Sequence, residues 1–357
     1  MFHDLKVARV VPDTSSAVKV TLEVPAALAK AYAFKPGQYL TFERLIDDEQ
    51  VKRSYSICSA PGEPLQVGIK QQPDGRFSTF ANHGLAVGEA LSVGTPEGRF
   101  TPRQRQRDGV NYLCMAAGSG ITPILSIIRA TLGQDTKSQV TLLYGNKTTA
   151  SMMFRDELMY LKNRYLERFH LIGVFSQEQQ DNELFNGRID NAKGAELIRR
   201  LLDLSAFDEF FLCGPESMVS EVTRGLRGEG VAAANIHYEL FSASADDAAH
   251  RVRKHEERAR HFSNKVSTVT VNLHARRHVF DLESDGENLL DRAQAMGLDV
   301  PYSCKDGVCA TCKARIVSGR VDMDVNHALT EQEVASGLVL TCQSHPITAN
   351  VELDYDV

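Results

Sequence analysis

The sequence predicts three consecutive domains: an antiparallel β-barrel or sandwich, an α/β domain with a parallel sheet, and a smaller mixed α/β domain. Three observations carry this. Short alternating strands fill the chain to about residue 105, strand–helix repeats follow to about 241, and after a charged interval a new alternating strand opens a region that carries three closely spaced cysteines. A length of 357 residues allows two or three domains, each with its own core.

In the first region "AVKVTLEV" sets Val18, Val20, Leu22 and Val24 against Lys19, Thr21 and Glu23, the two-residue period of a half-buried strand. "QYLTF", "RSYSI", "LQVGIK" and "ALSVG" follow between Pro and Gly breaks, and many short strands with few helices suggest a small barrel or sandwich. In the second region "NYLCMAA" leads into "TPILSIIRATL", "QVTLLYG" into "MFRDELMYLKNRY", "FHLIGVF" into "ELIRRLLDL", and "EFFLCG" into "PESMVSEVTRGL". Strand–helix alternation of this kind builds a parallel sheet covered by helices. Residues 242–265 mix both charge signs with Ala and Ser and read as a partly helical linker, with "RVRKHEERAR" as a solvated charge run. The third region runs from "VSTVTVNL" through "HVFDL" and a helical "NLLDRAQAMG" to the cysteines. The expected boundaries are therefore 1–105, 106–241, a linker at 242–265, and 266–357.

Composition narrows the chemistry. The chain is 43% hydrophobic with a formal net charge of -6, so nucleic acid is not an expected partner, because phosphate binding is driven by clustered Lys and Arg. No apolar run reaches membrane-spanning length and the N-terminus lacks a signal-peptide pattern, so the expected location is cytoplasmic, with no membrane partner. Disulfides are disfavoured there, and seven clustered cysteines point to metal. Cys304, Cys309, Cys312 and Cys342 give C-x4-C-x2-C-x29-C, the plant-type [2Fe-2S] ferredoxin spacing. The small residues Gly307, Ala310 and Thr311 let the backbone turn its N–H groups toward the sulfurs. A structural zinc site, which more often uses two C-x2-C knuckles, is the competing reading. Cys58 and Cys114 lie in expected strands and read as core residues. Asp322 and Asp324 together suggest an acidic surface for steering a basic partner.

A one-electron cluster needs a donor upstream. "RSYSICSAP" resembles the R-x-Y-[ST] flavin motif of the ferredoxin reductase superfamily. There the Arg53 guanidinium would fork onto a flavin phosphate, the Tyr55 ring would stack on the isoalloxazine, and the Ser56 hydroxyl would bond near N5, with Ile57 next in the motif. In "DGRFSTFANHG", Gly75 permits a turn and Ser78 opens a short helix whose amides face a pyrophosphate, which favours FAD over FMN. "AAGSGITPIL" sits between a strand and a helix. Thr122 is its expected N-cap, Pro123 the first helical residue, and Gly118 and Gly120 allow close approach to dinucleotide phosphates. "CGPESM" is a second such switch at the same sheet edge.

The order of these pieces covers the whole chain, and with "YGNKT", "SMMFR", "FSQE" and "CKDGVCATCK" it is similar to the reductase components of bacterial phenylacetyl-CoA epoxidases. That resemblance implies an antiparallel β-barrel flavin domain, an α/β nucleotide domain and an α+β β-grasp ferredoxin domain. It implies FAD on Arg53, Tyr55 and Ser56; nicotinamide dinucleotide along Gly118, Gly120, Thr122, Cys213, Gly214 and Pro215; and a [2Fe-2S] cluster on the four cysteines. Glu239 and Phe241 in "YELFS" fall where relatives carry a Glu and an aromatic near the flavin, so Ser56, Cys213 and Glu239 are the expected residues at the reacting rings. Electrons would pass from NAD(P)H through FAD and the cluster to the diiron oxygenase component of a multicomponent monooxygenase. An aromatic-ring dioxygenase or a hybrid-cluster protein is the alternative acceptor. Superfamily members that choose NADPH often carry Ser-Arg after the third sheet strand. Here the pair is Ser176-Gln177, with Lys147 and Arg155 as candidate replacements for that charge; the resemblance still inclines to NADPH, with NADH as the alternative.

Overall fold

The computed structural model describes residues 1–103, 109–134, 136–189, 191–241, 245–262 and 265–356. They form two compact units, Met1–Glu239 and Leu240–Val357.

The first unit opens with β1 (Phe2–Thr14), β2 (Ala17–Glu23), β3 (Tyr39–Ile46), β4 (Glu49–Ser56), β5 (Gln66–Lys70), α1 (Arg76–His83) and β6 (Ala90–Gly94). The strands pair antiparallel in the order β4-β3-β6-β1-β2-β5. An Ile57–Val67 bridge and the Cys58 N–H bond to the Gln66 carbonyl bring the continuation of β4 back to β5 and close the barrel. Val18, Val20 and Leu22 point into its core as their alternation requires, beside Leu40, Phe42, Ile57 and Phe77.

The unit continues with β7 (Asn111–Ala117), α2 (Ile121–Gln134), β8 (Gln139–Asn146), α3 (Arg155–Arg164), β9 (Phe169–Phe175), α4 (Asn191–Leu201), β10 (Glu209–Gly214), α5 (Glu216–Gly228) and β11 (Ile236–Leu240). The sheet order is β11-β10-β7-β8-β9, with β10, β7, β8 and β9 parallel. The chain moves outward from β7 to β9 and then returns to β7's other side, so the strand order reverses between β7 and β10. Crevices of this kind, at the carboxyl ends of the strands, collect ligands in open α/β sheets. Helix α4 ends at Leu201, short of the expected 204, because the Asp203 carboxylate accepts the Ser205 N–H and caps a separate turn.

The two sequence regions of this unit share a core. Ala17, Cys58 and Phe100 from the barrel lie in one apolar cluster with Cys114, Ile124, Tyr144 and Phe154. The buried Ser126 hydroxyl donates to the Ser59 carbonyl at 2.6 Å, and the Phe154 N–H donates to Asp13 at 2.9 Å. Gly68 is required here: a Cβ would stand 2.6 Å from the Phe154 ring. Cys58 and Cys114 are the core residues their strands suggested, and burial raises both thiols.

The second unit comprises α6 (Ala245–Phe262), β12 (Val266–Leu273), β13 (Arg276–Glu283), α7 (Leu289–Ala295), β14 (Lys313–Ser318), β15 (Val321–Met323), α8 (Glu331–Ala335), β16 (Leu338–Leu340), β17 (Ser344–Pro346) and β18 (Asn350–Asp354). A mixed sheet, β13-β12-β18-β14-β16, has β12 and β18 parallel in its interior. Leu289, Leu290 and Ala293 of α7 are buried in its core, which is the β-grasp arrangement of one helix held by a mixed sheet.

Two charge expectations change in this unit. The stretch read as a linker is an 18-residue helix, α6, and its charge run is not simply solvated. Arg251, Lys254 and Arg258 recur at helical spacing on one face. Lys254 pairs with Asp322 at 2.7 Å, and Arg258, 3% exposed, binds both Asp322 and Asp324. The acidic pair is therefore neutralised within its own unit and offers little free charge to a basic partner.

Candidate functional site

In the first unit the sheet switch point carries the expected residues. Gly118 takes φ +53 in the tight turn Gly118–Gly120 after β7. Gly120 lies against β10, where a Cβ would stand 2.1 Å from the Cys213 carbonyl oxygen and 3.0 Å from the Gly214 nitrogen. Pro215 then caps α5 at the end of β10. Two strand–helix turns far apart in sequence thus meet at one edge.

One flavin-motif residue, Ser56, reaches the same place. The Ser56 hydroxyl at the end of β4 donates to the Glu239 carboxylate on β11 at 3.2 Å. Burial and the nearby Glu239 charge push the fully buried Cys213 thiol up. Ser56, Cys213 and Glu239 therefore lie close together although 183 residues separate the first from the last. Tyr55 packs its ring against Phe77 and Phe42, and burial raises its phenol. The exposed Arg53 donates to the Lys52 carbonyl at 2.7 Å.

Ile57 turns its side chain into the barrel core and gives its N–H to the Gln38 carbonyl. The local geometry expected for Ser78, Gly75, Thr122 and Pro123 is corrected. Ser78 does not open α1: it is the third helical residue behind Gly75, donating to the Gly75 carbonyl and accepting the Gln72 N–H. The left-handed turn residue is Asp74, φ +57, whereas Gly75 is needed because a Cβ would stand 2.4 Å from the Ser78 oxygen. Thr122 does not cap α2, which starts at Ile121; its hydroxyl donates back to Ser119 at 3.0 Å, and Pro123 is the third helical residue, where no intrahelical acceptor awaits an N–H. Phe241 is 39% exposed and belongs to the second unit, so its place near a flavin stays a proposal.

Lys70 was missed. It ends β5, and its Nζ would lie 3.6 Å from a Cβ at Gly118. Burial first, and then the neighbouring Lys147 charge, lower its pKa. The terminal Lys of "LQVGIK", at the end of an expected strand beside a flavin motif, was the available signal.

Burial holds the Glu239 carboxyl at about 8 against an ordinary 4.5. The folded state keeps the proton while the unfolded chain loses it, so this group's stabilising contribution is full below about pH 4.5 and is lost as pH rises toward about 8. Glu239→Gln is expected to remove that slope, which denaturant midpoints across the pH range would read; an unchanged slope refutes the assignment.

In the second unit the four cysteines form two hydrogen-bonded pairs, Cys304 with Cys309 and Cys312 with Cys342. Two pairs suit two irons, each taking two thiolates. The loop has the required curl: Lys305, Gly307 and Ala310 have φ of +59, +78 and +57, and the Asp306 N–H donates to the Cys304 sulfur at 3.3 Å. The Cys309 thiol and the amides of Asp306, Val308 and Cys309 bring Cys304 down to about 6 despite burial, and the shared proton leaves Cys309 raised. The donor set and its amides fit a [2Fe-2S] cluster.

Comparison with known proteins agrees. Residues 6–101 match the oxidoreductase FAD-binding domain, 114–224 the oxidoreductase NAD-binding domain, and 272–346 the 2Fe-2S iron-sulfur cluster binding domain. The fold and these matches define an oxidoreductase that combines FAD, a nicotinamide dinucleotide and a [2Fe-2S] cluster in one chain. Over 99% of its length the chain is 42% identical to a component of the 1,2-phenylacetyl-CoA epoxidase of Escherichia coli K12, 98% of which is covered. It is 30% identical, over 98% of its length and 96% of the relative, to the ferredoxin reductase component of 3-ketosteroid-9-alpha-monooxygenase from Rhodococcus rhodochrous. Phthalate dioxygenase reductase shares the fold, with a TM-score of 0.63 at 20% identity over 99% of this chain and 98% of that one. The chain belongs to the family of oxygenase reductase components that includes these epoxidase and ketosteroid monooxygenase proteins.

Proposed function

We propose that this chain delivers electrons from NADPH to the diiron oxygenase component of a phenylacetyl-CoA epoxidase. The observation that carries the reading is the meeting of Ser56, Glu239 and Cys213 at the switch point, which would bring a flavin ring and a nicotinamide to one place. When bound, FAD accepts a hydride and the cluster carries single electrons, so the chain converts pairs of electrons into single ones. Its own residues position: Arg53 and Tyr55 hold the flavin, Gly118, Gly120 and Lys70 admit the dinucleotide phosphates, and Ser56 and Glu239 fix the polar edge of the flavin. Cys304, Cys309, Cys312 and Cys342 hold the cluster. The 42% relative, against 30% for the ketosteroid reductase, favours the epoxidase as acceptor. A cytoplasmic location suits four reduced thiols, and among the described residues no helix is long and apolar enough to cross a membrane.

The test is reconstitution with purified oxygenase component, NADPH and phenylacetyl-CoA. Epoxide formed only with this chain present supports the reading; no coupling, with brisk coupling to a dioxygenase component, overturns the acceptor and leaves the redox chain intact. The cofactor choice has its own readout. The Gln177 N–H bonds the Lys147 carbonyl at 2.8 Å, which sets position 177 beside Lys147 at the carboxyl edge of the sheet. Gln177→Arg is expected to raise the NADPH-to-NADH ratio of kcat/KM about tenfold, roughly 1.4 kcal/mol, by a charge-assisted bond to the 2′-phosphate. Steady-state kinetics with both nucleotides would show it.

A further inference from the structure

We propose that helix α6 is a positioning element for the cluster, with Arg251 and Arg258 fixing the hydrogen bonds that reach both thiol pairs. The inference rests on the reading that the four cysteines hold a [2Fe-2S] cluster. The first relay starts at Arg251, whose Nη2 donates to both the main-chain carbonyl and the carboxylate of Asp306, at 3.4 and 3.3 Å. Asp306 is inside the cysteine loop, and its own N–H donates to the Cys304 sulfur. One donor nitrogen that holds a residue by both its carbonyl and its side chain restricts the rotation of that residue, and so the aim of its N–H.

The second relay starts at Arg258. Its guanidinium, almost wholly buried, binds Asp324 through both terminal nitrogens and Asp322 through one, at 3.1 Å for the latter. The Asp324 N–H donates to the Gln343 carbonyl at 2.7 Å. The Gln343 side-chain amide then donates to the Lys305 carbonyl at 2.8 Å and approaches the Cys342 sulfur at 3.6 Å. One helix thus touches the Cys304–Cys309 pair through Asp306 and the Cys312–Cys342 pair through Gln343.

Reduction adds a negative charge to the cluster, and hydrogen bonds to sulfur together with nearby positive charge favour that state. Removing Arg251 loosens the Asp306 peptide and leaves an unpaired carboxylate beside the loop, so both effects disfavour reduction. Arg251→Gln is expected to shift the one-electron reduction equilibrium about tenfold toward the oxidised cluster, which is about 59 mV. Arg251→Lys, which keeps the charge but replaces the rigid planar guanidinium with a freely rotating ammonium on a flexible stem, should fall between this variant and the parent. Arg260→Gln, on the exposed side of the same helix at 73% exposure, should match the parent.

The experiment is an EPR-monitored redox titration of the full-length holoprotein, with iron and sulfide counted in each sample. A lowered potential in Arg251→Gln with the cluster fully loaded supports the proposal, and an unchanged potential overturns it. If that variant does not load, Arg251→Lys is titrated in its place, and a potential equal to the parent overturns the proposal. A parent protein that reconstitutes no iron and sulfide at all refutes the cluster reading itself, a different and separately visible failure. A helix that merely stabilised the fold would change melting temperature and leave the potential of the loaded fraction unmoved.

Discussion

Cys342→Ser is expected to abolish the visible and EPR signature of the cluster and to cut NADPH-driven reduction of a one-electron acceptor about a hundredfold, roughly 2.7 kcal/mol in barrier. Cys342 is 4% exposed in the short turn between β16 and β17. Its neighbour Thr341 donates to the Cys312 carbonyl at 2.8 Å and is held in turn by the Tyr355 hydroxyl at 2.9 Å. A rigid frame of this kind cannot bring another sulfur into the place, and a serine hydroxyl is far harder to ionise than a thiol. Bleaching of the flavin by NAD(P)H belongs to the first unit and should survive. Optical titration under argon separates the two signals. Retention of parental iron and sulfide in this variant would remove Cys342 from the ligand set.

Gly120→Ala is expected to be the most damaging single methyl at the sheet switch point of the first unit. The added carbon would stand 2.1 Å from the Cys213 oxygen and 2.5 Å from its carbonyl carbon, and both are backbone atoms of a central strand. No side chain can give way, so the turn and the end of β10 must part. Overpacking of this kind costs about 1–3 kcal/mol, a fall of about 2–12 °C in Tm for a unit of this size. The displaced turn should also slow hydride transfer about tenfold or more, because misplacement of about 1 Å at a reacting centre can cost far more. Gly118→Ala is the matched control: its φ of +53 strains alanine, but the space is open except for Lys70. Stopped-flow bleaching of the flavin by NADPH and a thermal melt should rank Gly120→Ala well below Gly118→Ala; equal behaviour would refute the close-approach argument.

The sequence by itself determined what short-range pattern can encode. Alternation in "AVKVTLEV" gave a barrel strand, strand–helix alternation gave the parallel sheet, and cysteine spacing pointed to a 2Fe-2S domain, because each pattern is carried by residue spacing along the chain. Even the α6 stripe of Arg251, Lys254 and Arg258 was legible as spacing, though hidden by composition that reads as a solvated linker. Tertiary structure decided what meets. Ser56 finds Glu239 across 183 positions, Gly120 finds the Cys213 carbonyl, Lys70 arrives beside Gly118, and Arg258 closes on Asp322 and Asp324. Local caps were misplaced for the same reason. Thr122 and Ser78 spend their hydroxyls on carbonyls supplied by the folded turn, a choice set by backbone geometry that residue type alone leaves open. Periodicity is a property of neighbours along the chain, whereas the electrostatics and hydrogen bonding of a site belong to groups that only the packed core brings together.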